Sequence, residues 1–483
     1  MIRIKSILLL CSIFLVTENL IAQSSRQIII KGKVMNTGGK EIMYYRTING
    51  IYVQAIDTLK VLPDSTFTIT IPANSSEKFD FALWGVRKLG SVYLKPGINH
   101  LNIDASSIDR ALDAKSTREN EIMKLLSQLD SDVWNLRARK ADKWSISRDT
   151  IGISVYDKLT TYAQQQDKLL AGMTTDKKLL NKARSDVRMQ MLLAFENQYL
   201  GNYSRTDDTV KKEWNAAFLK MVEFVDINHP DNVFSPAFPE AVSNWLGIKT
   251  YYVNQAERPK DRKEYSKICF DGFQKSLAGK VSEVAIANLF FEDAMKQEYS
   301  VEIPALYDRF VTLYPHSTLL PLLNKSVAAN KAFNQTKPSE DIHFIEADSI
   351  RTFKELTDRF PGKVIFVDIW ATWCSPCRRS FAFVKPLQQY AKEHDVVLLY
   401  ITIDRPTDKD KWKKMAAYYD LKGEHVIVNT ELDKSVRELF GKDGALYIPH
   451  CGIVNTKGEL QFPRATGPED MEKLMQQLKA AAQ

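Results

Sequence analysis

Cysteine is scarce in this chain of 483 residues, which holds five. Cys11 lies near the start, leaving Cys269, Cys374, Cys377 and Cys451 for the rest. Domains stapled by disulfides carry more, evenly spread, so the composition excludes a disulfide scaffold. Charge of one sign is lacking too. With 66 Lys and Arg against 59 Asp and Glu, the formal net charge is only +7 and both signs are mixed throughout. That balance argues against a nucleic-acid partner and for a solvated, mildly basic surface. The apolar run Ile7 to Val16 is ten residues long, too short for the ~20 that cross a bilayer. The first 105 residues contain no glycine-rich phosphate loop, histidine cluster or paired carboxylates, and the middle of the chain has no fixed repeat period. What remains is ordinary globular composition, 44% hydrophobic and 26% charged, at a length suited to about three domains.

The N-terminus has the pattern of a targeting segment. Arg3 and Lys5 precede the apolar run, and Leu20-Ile21-Ala22 approaches a cleavage point. This predicts a cleaved signal peptide over residues 1–23 and export to the periplasm or cell envelope. Cys11 lacks a small residue before it and a full apolar core upstream, so a lipid anchor is not expected.

Residues 25–105 alternate short β-rich runs with turn signals such as Asn36-Thr37-Gly38-Gly39 and Lys95-Pro96-Gly97. About seven such runs predict an N-terminal antiparallel β-sandwich. Residues 108–335 switch to helical spacing and predict an all-α helical middle region. There Leu193, Phe195, Tyr199, Trp214, Phe218, Met221, Val222 and Phe224 recur on one face. Cys269 on a helix reads as a small buried apolar residue, and His229 before Pro230 as a turn residue. Residues 334–343 read as a polar linker into an α/β domain over 341–483.

That last domain carries the chemistry. Val364 to Ile369 is short, apolar and β-branched, as a buried strand should be. Trp373-Cys374-Ser375-Pro376-Cys377 follows in a tight turn that opens a helix. Cys-x-x-Cys puts two thiols one helical turn apart, close enough to close a small ring. At a helix N-terminus the first thiol, Cys374, meets free N–H groups and the positive end of the dipole, which favour the thiolate. Cys374 is the predicted nucleophile, partly exposed, and Cys377 the more buried resolving thiol. Arg378 and Arg379 add positive charge. Asp368, within the apolar strand, is a candidate proton acceptor for Cys377, because desolvation raises a buried carboxyl's pKa. The competing reading is half a zinc site completed by His450 and Cys451, which the surrounding aromatic frame and Pro449 disfavour. No metal or other cofactor is expected beyond the redox-active pair.

These residues resemble the thioredoxin superfamily, and within it the TlpA/ResA-like envelope thiol–disulfide oxidoreductases. Trp373 to Cys377 is similar to their active-site motif, Tyr447-Ile448-Pro449 to their cis-proline loop, and Asp368 to thioredoxin's buried acid. The β-rich segment resembles the N-terminal domain of unknown function found ahead of such domains. The resemblance implies a thioredoxin-like fold with a cis peptide at Pro449. It also implies a substrate chain held beside Trp373, Ile448 and Pro449, disulfide-bonded envelope proteins as substrates and a membrane electron donor or acceptor. Cys451 should point into the sheet. One departure stands out: Ser380 and Ala382 occupy positions where the envelope reductases carry Glu and Pro. That puts their acid-assisted reduction in doubt and suggests a straighter active-site helix. A partner-binding scaffold with an ancillary thioredoxin-like domain is the alternative reading.

Overall fold

A computed structural model describes residues 27–483 except 49–50, 74–76, 84–85, 108–110, 115–119, 123–124, 127–151, 175, 259–263 and 443–444. The expected signal peptide, Cys11 and most of the helix expected near 115–140 lie outside the described residues. The chain divides into two compact units, Met1–Met295 with Glu302–Val327, and Lys296–Val301 with Ala328–Gln483.

The first unit begins with eight strands: β1 (Gln27–Met35), β2 (Ile42–Ile48), β3 (Ile51–Thr58), β4 (Thr66–Pro72), β5 (Glu77–Leu83), β6 (Arg87–Leu94), β7 (Gly97–Asp104) and β8 (Leu112–Ala114). They form two four-stranded sheets, ordered β4-β1-β7-β8 and β3-β2-β5-β6. Alternation drives their burial. Phe67, Ile69 and Ile71 point inward from β4, and Ile28 and Ile30 from β1, into a core shared with Phe79 and Phe81 of the other sheet. At Gly32 an added Cβ would lie 1.7 Å from the Leu101 carbonyl oxygen, so the close approach of β1 and β7 requires glycine. Those two strands run parallel, where the sequence suggested antiparallel pairing throughout. Five strands intervene between them, and so long a connection permits parallel pairing where a hairpin could not.

Helices follow: α1 (Gly152–Met173), α2 (Lys177–Asn202), α3 (Asp208–Val225), α4 (Phe238–Ile248), α5 (Tyr265–Ser276), α6 (Gly279–Lys296), α7 (Ile303–Leu313) and α8 (Leu320–Gln335). Asp176 and Asp207 cap α2 and α3 by accepting backbone N–H bonds from the first turns. Leu193, Phe195, Tyr199, Trp214, Phe218 and Met221 are buried in one cluster, while Val222 and Phe224 sit at its margin. His229 caps the turn at Pro230, and Cys269 is buried.

The second unit contains β9 (Ile342–Ile345), α9 (Phe353–Thr357), β10 (Ile365–Trp370), α10 (Ser375–Ser380), α11 (Val384–His394), β11 (Val397–Thr402), α12 (Lys409–Tyr418), β12 (Gly423–Ile427), α13 (Thr430–Phe440), β13 (His450–Val454), β14 (Leu460–Phe462) and α14 (Met471–Ala481). Its six-stranded sheet has the order β14-β13-β10-β11-β12-β9. Every residue of β10 is buried, as expected of a central strand covered on both faces. Ile365, Val367 and Ile369 pack on one side with Leu399 and Ile401. Phe366 and Trp370 face the other side, where both active-site cysteines lie.

Residues 336–341, the middle of the expected polar linker, form an irregular connection between the end of α8 and edge strand β9. One expectation fails here: the active-site helix is not straight, because a 3₁₀ turn over Phe381–Phe383 separates α10 from α11. Pro386 explains the break. It offers no N–H, and its ring would collide with the carbonyl of Ala382 in a continuous helix.

Candidate active site

Strand β10 delivers the chain to Ala371-Thr372-Trp373, and Cys374 then stands at the N-cap of α10 with extended backbone, φ −82° and ψ 95°. Cys374 and Cys377 are joined in a disulfide, their Cα atoms 5.3 Å apart. The Cys377 N–H points at the Cys374 sulfur, 3.2 Å away. A donor so placed stabilises negative charge on that sulfur once the bond is reduced. Cys374 is 4% exposed and Cys377 fully buried. The expected partial exposure of Cys374 is therefore not seen, because the joined pair packs into the apolar cluster beside Trp370, Phe381 and Ile448.

Asp368 lies two residues before the end of β10. It is 3% exposed, with Oδ1 free of any hydrogen-bond partner. Desolvation, followed by the nearby Glu469 charge, pushes its pKa up to about 7. Cross-strand register places Cys451 on one side of it and Tyr400 on the other, with His425 next to Tyr400. Asp368 alternates with Val367 and Ile369, so it faces the side of the sheet on which the cysteines lie.

The Ile448–Pro449 peptide is cis. His450, the next residue, pairs with Ile369, so this loop sits at the end of the sheet from which the turn to Cys374 departs. Ile448 packs against the cluster containing the cysteines, and Pro449 is exposed. Trp373 and Tyr447 are the open apolar surfaces of these two loops, 61% and 73% exposed. His450 is buried and bonds through Nε2 to the Pro463 carbonyl oxygen at 2.7 Å, a structural role. Cys451 is a buried free thiol whose pKa is pushed well above the ordinary range by burial, then by Asp368 and Glu469. Burial likewise pushes the Cys269 thiol up to about 11, which suits an inert core residue.

Sequence reasoning missed two side chains that hold the turn. Asp404, just past β11, is buried and accepts bonds from the Thr372 N–H (2.7 Å), the Thr372 hydroxyl (2.8 Å) and the Thr402 hydroxyl (2.6 Å). Arg378, expected only to add positive charge, is also buried and donates to the Thr372 carbonyl oxygen. Thr372 is thus gripped from both sides. A lone Asp after a strand gave little signal, and its partner lies 32 residues away. Arg379 is exposed. Among the described residues, no group of three or more His, Cys, Asp or Glu could hold a metal ion. No helix among them is long and apolar enough to cross a membrane.

Comparison with known proteins places residues 334–472 in a match to the Redoxin family. The thiol–disulfide oxidoreductase ResA of Bacillus thuringiensis subsp. konkukian is 28% identical over 125 residues, 26% of this chain and 66% of that protein. Thioredoxin of Coprinus comatus is 31% identical over 65 residues, 14% of this chain and 59% of that one. The chain thus spans just under two thirds of the length of these relatives. Among solved structures, a putative thiol-disulfide oxidoreductase from Bacteroides vulgatus is 26% identical, covering 26% of this chain and 79% of that one with a TM-score of 0.22.

Proposed function

We infer, from the premise that residues 334–472 make a TlpA/ResA-like member of the thioredoxin superfamily, that the protein is a thiol–disulfide oxidoreductase acting on protein disulfides. The observation that carries this reading is the joined Cys374–Cys377 pair at a helix start, on the sheet face to which a buried carboxyl points. In the reduced protein the Cys374 thiolate attacks a substrate disulfide. That S–S bond breaks, the departing sulfur takes up a proton, and a mixed disulfide forms on Cys374. Asp368 accepts the proton of Cys377, whose thiolate attacks the Cys374 sulfur and releases the second substrate thiol. Two electrons have then passed to the substrate, and the Cys374–Cys377 disulfide is restored. Trp373, Ile448 and Pro449 hold the substrate chain beside the pair, with backbone pairing along the loop as in strand addition.

Reduction is the direction favoured, in the periplasm or envelope after removal of residues 1–23, with a membrane electron donor regenerating the dithiol. The β-sandwich over 25–105 and the helical region over 108–335 serve binding or spacing. Insulin reduction by dithiothreitol tests the core of this: the wild-type chain accelerates precipitation and Cys374→Ser does not. Equal rates would overturn the reading. Cys377→Ser should trap substrates as mixed disulfides on Cys374, released by reductant.

A further inference from the structure

Trp373 is 61% exposed, yet its two neighbours in the chain are buried, Thr372 at 3% and Cys374 at 4%. The backbone on both sides of it is tied. The Cys374 N–H donates to the Ala371 carbonyl oxygen at 3.0 Å, and the Cys374 carbonyl oxygen accepts from the Arg378 N–H at 3.1 Å. Thr372 has all of its polar groups engaged. Its N–H and hydroxyl donate to Asp404, and its carbonyl oxygen accepts from the Arg378 guanidinium. Peptide groups are planar, so fixing the N–H on one side of Thr372 and the C=O on the other fixes both peptide planes. The second of those planes leads directly into Trp373.

Tryptophan is among the residues that carry most of the energy at binding surfaces. How much of that energy is realised depends on what must be ordered when a chain docks. On a loose turn both backbone and side chain lose freedom; on a tied one only the side-chain torsions do. Among the ties, Arg378 is the one that needs a reason. It is 8% exposed, and its Nε has no hydrogen-bond partner among the described residues. An apolar side chain of similar length would fill that space without burying a charge. What arginine adds is a rigid donor set against the Thr372 carbonyl.

We propose that Arg378 is a positioning residue for substrate: by gripping the Thr372 carbonyl opposite the Asp404 anchor, it keeps Trp373 as a rigid platform beside Cys374. The site then favours disulfides carried by a polypeptide that can lie across the indole over small disulfides that cannot. The proposal rests on the oxidoreductase reading and on the contact between Trp373 and the substrate chain given above. It differs from a role in which Arg378 lends its charge to the Cys374 thiolate, since that would alter reaction with every disulfide alike.

The full chain is reduced, freed of reductant and mixed with one of two disulfides. One is a cystine peptide with an apolar residue beside each cysteine; the other is hydroxyethyl disulfide. The ratio of the two rate constants is the readout, because the intrinsic reactivity of the Cys374 sulfur cancels in it. Arg378→Met should lower the peptide-to-small ratio severalfold. Thr372→Gly keeps Arg378 and loosens the backbone it grips, so it should lower the ratio as well, and it serves alone should Arg378→Met not fold. In a Trp373→Ala background the ratio should already be low and Arg378→Met should change it no further, since a cycle of variants isolates the coupling. A ratio that stays at the wild-type value in Arg378→Met or in Thr372→Gly, or an equal fall with and without Trp373, would overturn the platform. A wild-type chain that reduces neither disulfide would instead overturn the oxidoreductase reading, so the two failures are distinguishable.

Discussion

At the scale of single residues, Asp368 binds the folding of the protein to its chemistry. Its pKa moves from 3.8 to about 7, with desolvation the main cause. Between those values the unfolded chain has lost the proton and the folded chain keeps it. Stability therefore falls as pH rises through this window, and is flat above it. Taking about 1.4 kcal/mol per pH unit, the full effect is at most about 4 kcal/mol. Asp368→Asn removes the titration. It should leave stability at pH 3.5 nearly unchanged and raise it at pH 8 by a few kcal/mol, read from denaturant unfolding of the oxidised protein. A uniform loss at both values would mean that charge burial is not the cost. The catalytic effect has the opposite sign. Only the ionised carboxylate can take the Cys377 proton, so the rate of mixed-disulfide resolution should climb with pH up to about 7. Stopped-flow reduction of a fluorescent disulfide peptide should show this limb in the wild type and lose it in Asp368→Asn.

At the scale of elements, the turn between β10 and α10 is fixed less by its own sequence than by Asp404 at the end of β11. Asp404→Ala would leave one N–H and two hydroxyls without their buried acceptor. Such groups cost about 1–3 kcal/mol apiece, so a loss of about 3 kcal/mol or more is expected, with slower insulin reduction. Asp404→Asn keeps an oxygen acceptor and should recover part of both; if the two variants behave alike, the clamp is not hydrogen bonding. This contrast explains what was legible in the sequence. The strand, the Cys-x-x-Cys turn and the burial of Asp368 are local matters, written in apolar periodicity within a dozen residues. The helices and most strands declared themselves in the same way. Asp404 and Arg378 act through a partner the chain reaches only after folding. Strand β9 escaped because four residues with a central His343 carry too little alternation to mark an edge strand. The break before α11 is written in the sequence as Pro386, which cannot sit within a continuous helix.

At the scale of the whole molecule, each compact unit buries its own apolar clusters. Leu101, Phe67 and Phe81 serve the N-terminal sheets, and Trp370, Tyr400 and Leu474 the redox unit. Units with separate cores need not unfold together, since two-state behaviour is a property of single domains. Denaturant titration followed by circular dichroism and tryptophan emission should therefore resolve two transitions. Each can be assigned by a perturbation confined to one unit. Opening the Cys374–Cys377 ring with reductant frees a short loop in the unfolded chain, worth about 2 kcal/mol, and should lower one midpoint alone. Gly32→Ala sets a methyl 1.7 Å from the Leu101 carbonyl oxygen and should lower the other by about 2 kcal/mol or more. If the Gly32 variant and the reductant displace the same transition, the two units share one folding event. Residues far outside the Redoxin match would then help determine whether the dithiol form remains folded at all.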